Sequence, residues 1–131
     1  MQKIDKRGLS NRKSPGESGF TKVYASYRGR AMRENIVFSL DKNDFRFRTQ
    51  LPCYYCGEPP SQISTNPTST KEGTKNSQFI YNGIDRVDPK KGYENGNVLS
   101  CCKKCNYAKH IMGITEFLDW IKKVHKNCFG E

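Results

Sequence analysis

The sequence predicts a small α+β domain, stapled by zinc, with a β-hairpin and flanking helices. Three observations predict it. Two Cys-x-x-Cys pairs, Cys53-Tyr54-Tyr55-Cys56 and Cys102-Lys103-Lys104-Cys105, have the spacing of the two halves of one tetrahedral metal site. The segment between them, residues 83–99, reads as a hairpin, and a helix is expected to start at the second pair. Only 34% of the 131 residues are apolar, so the core is small and needs such a staple.

The elements follow in order. Residues 1–19 are polar and aperiodic and read as a flexible basic arm. Residues 20–50 read as a basic helical lead-in. Phe20, Val23, Tyr24, Tyr27 and Ala31 recur at spacings of three and four, predicting a helix to Arg33. Ile36-Val37-Phe38 is short and apolar, and reads as extended. Ser39 is expected to cap a helix from Leu40 to Gln50, with Asp41 and Asp44 in its early turns. Leu40, Asp44 and Phe47 are expected on one face, with Phe45 over the first knuckle. Residues 51–131 then form the zinc-stapled domain. Residues 57–78, with Pro59, Pro60, Pro67 and many Ser, Thr and Asn, read as a surface loop. Order resumes at Phe79-Ile80-Tyr81. Gly83 to Val87 and Asn97 to Ser100 are the hairpin strands. Asn106 to Met112 is expected as a short helix ended by Gly113. Thr115 is expected to cap a last helix with Phe117, Leu118, Ile121 and Val124 as its apolar stripe, joined by Trp120.

Charge narrows the partners. The net charge is +10. Residues 1–50 hold 12 Lys and Arg against 5 Asp and Glu; residues 51–131 hold 11 against 8. A basic front half of this kind meets a polyanion, most often nucleic acid. Lys22, Arg28, Arg30 and Arg33, with Tyr24 and Tyr27 between them, are candidates to track a phosphate backbone, as are Lys90 and Lys91 near the hairpin turn. No apolar run is long enough to span a membrane. The charged N-terminus lacks an apolar signal core, which predicts a reducing, intracellular, cytoplasmic setting.

The cysteines and the hairpin carry the chemistry. Cys53, Cys56, Cys102 and Cys105 close a four-thiolate shell with no open position, so their zinc is structural. Cys101 competes with Cys102, but its gap to Cys105 is wrong for a knuckle; Cys101 and Cys128 read as spare thiols. Asp85 and Asn106 offer hard oxygen donors that suit Mg²⁺ or a similar cation holding phosphate oxygens and water. His110 lies one helical turn after Asn106, as a third ligand or a proton acceptor.

These runs resemble a known family. Cys53-Tyr-Tyr-Cys-Gly57, Asn82-Gly-Ile-Asp-Arg-Val-Asp-Pro-Lys-Lys-Gly-Tyr93 and Gly96-Asn-Val-Leu-Ser-Cys-Cys-Lys-Lys-Cys-Asn-Tyr-Ala-Lys109 look like the HNH endonucleases, in the zinc-bearing branch common in phages and mobile elements. The resemblance covers about residues 20–125 and is specific in 53–57 and 82–110. It implies a ββα-metal core, hydrolysis of DNA phosphodiesters with Mg²⁺ or Mn²⁺, and, for a phage protein, a bacterial host cell. By position, Asp85 and Asn106 would be the metal ligands, and Asn97 would brace the loop between the strands. The family's water-activating His falls on Arg86, which stays protonated and cannot act as a general base. Arg86 is then expected to grip the scissile phosphate as a charged fork, leaving the base role to His110 or to water on the metal.

Two functions fit. One is a metal-dependent DNA endonuclease. The other is a catalytically inactive zinc module of HNH descent that binds DNA or RNA, within a ribonucleoprotein or transcription assembly. Oligomeric state is not readable from the chain.

Overall fold

The computed structural model describes residues 14–130. The expected basic arm falls largely on residues 1–13, outside the described residues. Helix α1 spans Glu17–Arg33, one turn earlier than its apolar pattern. Gly16, at φ 81°, makes the turn into it, and its N–H donates to the Asn76 carbonyl. Glu17, Ser18 and Gly19 add nothing apolar to the stripe, so the periodicity missed them. Gly19 is needed there, because a Cβ would run into the carbonyl oxygens of Ser64 and Ser77.

Helix α2 spans Lys42–Thr49 and is capped by Asp41, whose carboxylate accepts from the Asp44 N–H at 2.8 Å. Ser39 is not the cap. Phe45 and Thr49, one turn apart, face inward, and Phe47 is left largely exposed. Residues 57–78 are not only loop. They contain strand β1 (Gln62–Ser64) and helix α3 (Lys71–Ser77), capped by Thr70 Oγ1 on the Gly73 N–H. Their side chains are mostly polar and exposed, so no apolar period announced them. β1 pairs antiparallel with β2 (Phe79–Tyr81), Gln62 facing Tyr81.

The hairpin is strand β3 (Gly83–Arg86) paired antiparallel with β4 (Val98–Cys101), Asp85 opposite Leu99. Helix α4 (Lys103–Lys109) follows at once. It begins three residues before the expected start at Asn106, because Cys102 is its cap, the sulfur accepting from the Cys105 N–H. It ends at Lys109, and His110, at φ 50°, turns the chain away. Gly113 therefore does not end this helix. It precedes α5 (Ile114–Phe129), and Thr115 lies inside α5 rather than capping it.

One aromatic core joins the lead-in to the hairpin. Phe20 and Phe45 are fully buried, among Leu40, Phe79, Ile84, Tyr93 and Val98. The Phe45 ring lies 5.2 Å from Tyr24, 5.3 Å from Tyr27 and 6.1 Å from Phe20, between α1 and the hairpin rather than over the knuckle. Truncating such a ring costs about 3–5 kcal/mol. The metal cluster is covered instead by Tyr55, which packs edge-on at 5.1 Å against Phe117. Phe117 is the buried member of α5. Leu118, Ile121 and Val124 remain about 40% exposed, and the half-exposed Trp120 ring lies tilted 6.4 Å from Phe117. Among the described residues no helix is long and apolar enough to cross a membrane.

Candidate active site and metal centre

Cys53, Cys56, Cys102 and Cys105 bring their sulfurs within 4.8 Å of one another, a set that can hold one metal ion. The first pair sits on a tight turn closed by the Gly57 N–H on the Cys53 carbonyl. Gly57 is at φ 80°, which only glycine adopts without strain. Fully buried Asn82 pins this turn, its amide donating to the carbonyls of Leu51 and Glu58. The second pair is the cap and first turn of α4. Burial pushes the Cys53 thiol up, but the N–H groups of Cys102, Cys56 and Tyr55 outweigh it and bring the pKa down to about 7. Cys101 is fully buried and lies outside the cluster, its thiol raised by burial. The choice between Cys101 and Cys102 thus falls to Cys102. Cys128, exposed near the end of α5, is not in the cluster either.

Next to the hairpin, a polar cavity of about 140 Å³ gathers Asp85, Arg86, Asn106 and His110. β3 supplies Asp85 and Arg86; α4 supplies Asn106, and His110 follows at the end of the helix. Arg30 reaches in from α1, its guanidinium 5.6 Å above the Tyr27 ring. Two further residues shape the cavity that sequence reasoning did not assign. Lys109 is buried, and its ammonium donates to Asp85 Oδ1 at 3.3 Å and to the Arg86 carbonyl at 2.9 Å. The Tyr55 hydroxyl donates to Asp85 Oδ2 at 2.8 Å, tying the metal cluster to the cavity. Burial raises the Asp85 carboxyl above its ordinary range, opposed by Tyr55, Lys109 and Arg86. Burial raises the Tyr55 hydroxyl too, helped by Asp85.

Asn97 spans the β3–β4 connection. Its Oδ1 accepts from the Asp88 N–H, and its Nδ2 donates to the carbonyls of Gly92 and Asp88. Arg86 is turned to the same loop. Its Nη1 donates to the carbonyls of Pro89 at 2.8 Å and Lys91 at 3.0 Å, and its guanidinium lies 5.3 Å over Tyr93. Of the other cations, Arg28 stacks over Tyr24. Lys22 donates to the Thr65 carbonyl. Arg33, Lys90 and Lys91 are exposed, and none of these five lines the cavity.

The cavity's donors suit a hard divalent cation. A carboxylate, an amide oxygen and an imidazole face one polar space, and a carboxylate has lone pairs beyond the two used by Tyr55 and Lys109. Two hard side-chain donors with room for water and phosphate oxygens are what Mg²⁺ takes.

An α+β chain with a four-cysteine cluster, a ββα unit and an Asp-to-Asn cavity defines an HNH-like fold. Comparison with solved structures agrees. The rare-cutting HNH restriction endonuclease PacI superposes with a TM-score of 0.53 over 85% of this chain and 80% of its own, at 22% sequence identity. The uncharacterized protein R423 of Acanthamoeba polyphaga mimivirus is 34% identical over 107 residues, 79% of this chain. The chain spans 17% of the length of that relative. No family model matches the sequence.

Proposed function

We propose that the protein is a metal-dependent DNA endonuclease of the HNH type, its cysteine cluster holding a structural zinc. The observation that carries this reading is the single cavity shared by Asp85, Asn106 and His110, with Arg30 at its wall. Asp85 and Asn106 would hold Mg²⁺ or Mn²⁺, which supplies charge stabilisation at the phosphate and its leaving oxygen. The chain does the rest. Lys109, which also lines the cavity, and Tyr55 fix the Asp85 carboxylate, one on each oxygen. His110, exposed at the cavity rim, accepts the proton of the attacking water. Arg30 meets the phosphate, because Nη1 of Arg86 is already spent on loop carbonyls. The basic front half adds sequence-independent attraction to the backbone.

A second reading has its own support. Both oxygens of Asp85 already have partners, Lys109 on Oδ1 and Tyr55 on Oδ2, and an ammonium beside the carboxylate competes with a cation there, as in a fold that keeps the site but not the reaction. Supercoiled plasmid decides between them. Wild type should nick it with Mg²⁺ or Mn²⁺ and not in EDTA. Asp85→Ala should abolish nicking, and His110→Ala should slow it about 10²- to 10⁴-fold. DNA binding without nicking would favour the inactive module.

A further inference from the structure

Beside the small cavity lies a larger cleft of about 420 Å³, within the size range of about 300–1,000 Å³ for ligand pockets. The two share Arg30, Asn106 and His110 as a common wall. The cleft runs between α1, the β1–β2 sheet and α4. Asn106, on α4, and His110, just past its end, form the shared wall. Lys103 and Tyr107, one turn apart on α4, line the cleft, with Ile111 in the turn beyond the helix. Tyr107 and Ile111 are each 74% exposed, an unusual cost for large apolar groups. Opposite them stands Tyr81, with Gln62 beside it as a donor and acceptor.

We propose that this cleft receives one unstacked nucleobase of the DNA strand whose phosphate lies in the Asp85 cavity. The proposal rests on the nuclease reading and deepens it. A base offers a flat apolar face and a polar edge; the cleft offers the exposed Tyr107 ring, the half-buried Tyr81 ring and Gln62. Arg30 and the Lys103 ammonium, 5.9 Å over the Tyr107 ring, place cations beside those rings, the combination that binds single strands. The shared wall sets the spacing, since a phosphate on one side leaves its nucleoside on the other. A base inside an intact duplex cannot reach the cleft, so the bound strand is single or locally opened.

The test is binding in EDTA, measured by fluorescence anisotropy. The probes are a single-stranded oligothymidylate of about a dozen nucleotides and an abasic strand with the same phosphates. The base-bearing strand should bind about 5- to 100-fold more tightly. Tyr107→Ala and Ile111→Ala, both at exposed positions, should shrink that gap and leave abasic binding unchanged. Tyr107→Phe should preserve it. Equal affinity for the two strands, or a gap that survives both alanine variants, would overturn the proposal. The outcome separates from that of the plasmid assay. Nicking without base dependence would remove the cleft and keep the nuclease; base-dependent binding without nicking would do the reverse.

Discussion

Lys109 buries an ammonium group against Asp85, with side chains 1% and 5% exposed. A buried pair contributes little over an apolar substitute, but removing one partner strands the other. Lys109→Met should therefore lower stability by about 3–5 kcal/mol, read as a shift of the urea midpoint. An unchanged midpoint would mean that Tyr55 alone satisfies the carboxylate. The contrast with Asp85, Asn106 and His110 is instructive. Those three could be proposed from the chain, because Asn106 and His110 follow a knuckle one turn apart and the run around Asp85 resembles the HNH motif. Lys109 could not, although it sits one turn from Asn106 on the same helix. A lysine is read as surface until its partner is known, and its partner is 24 residues away on another element. Tyr55 was hidden in the same way between two cysteines.

Between elements, the contact of α1 with β3 is the informative one. The Tyr27 hydroxyl accepts from the Ile84 N–H at 3.0 Å, and a Cβ on Gly83 would press on that oxygen at 2.5 Å. Burial is the main reason the Tyr27 pKa rises from 10.0 to about 12. The unfolded chain loses this proton first, so the contribution to stability is intact below about pH 10 and falls as pH rises towards about 12. Wild type should therefore lose on the order of 1–2 kcal/mol more than Tyr27→Phe across that window, followed by chemical denaturation. Parallel pH slopes would place the hydroxyl in solvent. Element boundaries were the least legible level. The helix α2 start moved to Asp41 because a carboxylate reaching the Asp44 N–H outcompetes a serine two residues earlier. Strand β1 and helix α3 escaped notice because both are short and mostly polar, with Ile63 their one apolar residue. The α5 stripe is apolar as expected, but of its four residues Phe117 alone is buried.

For the molecule as a whole, the cysteine cluster joins the turn after α2 to the start of α4, some fifty residues apart in the chain. It thereby holds Asp85 and Asn106 on facing elements. Metal binding energy at such a site is folding energy, on the order of 10 kcal/mol, comparable to the whole stability of a small domain. Stripping the metal with a strong chelator, or Cys53→Ser, should remove the cooperative thermal transition seen by circular dichroism. A transition kept at its original temperature would show that the aromatic core of Phe20, Phe45 and Phe79 suffices alone. That core draws on residues from Phe20 to Val98, so the basic lead-in and the hairpin are packed together rather than strung in sequence.

The chain by itself determined the metal cluster, the hairpin, the hard donors and the basic balance, because each is written in residue type and short spacing. Tertiary structure decided what surrounds them. It chose Cys102 over Cys101 by turning one sulfur towards the cluster and burying the other. It spent Arg86 on loop carbonyls and brought Arg30 to the cavity from a helix more than fifty residues earlier. It set Lys109 against Asp85 and opened a second cleft beside the first. These are long-range juxtapositions, and no local period or propensity encodes which distant surface a side chain will meet.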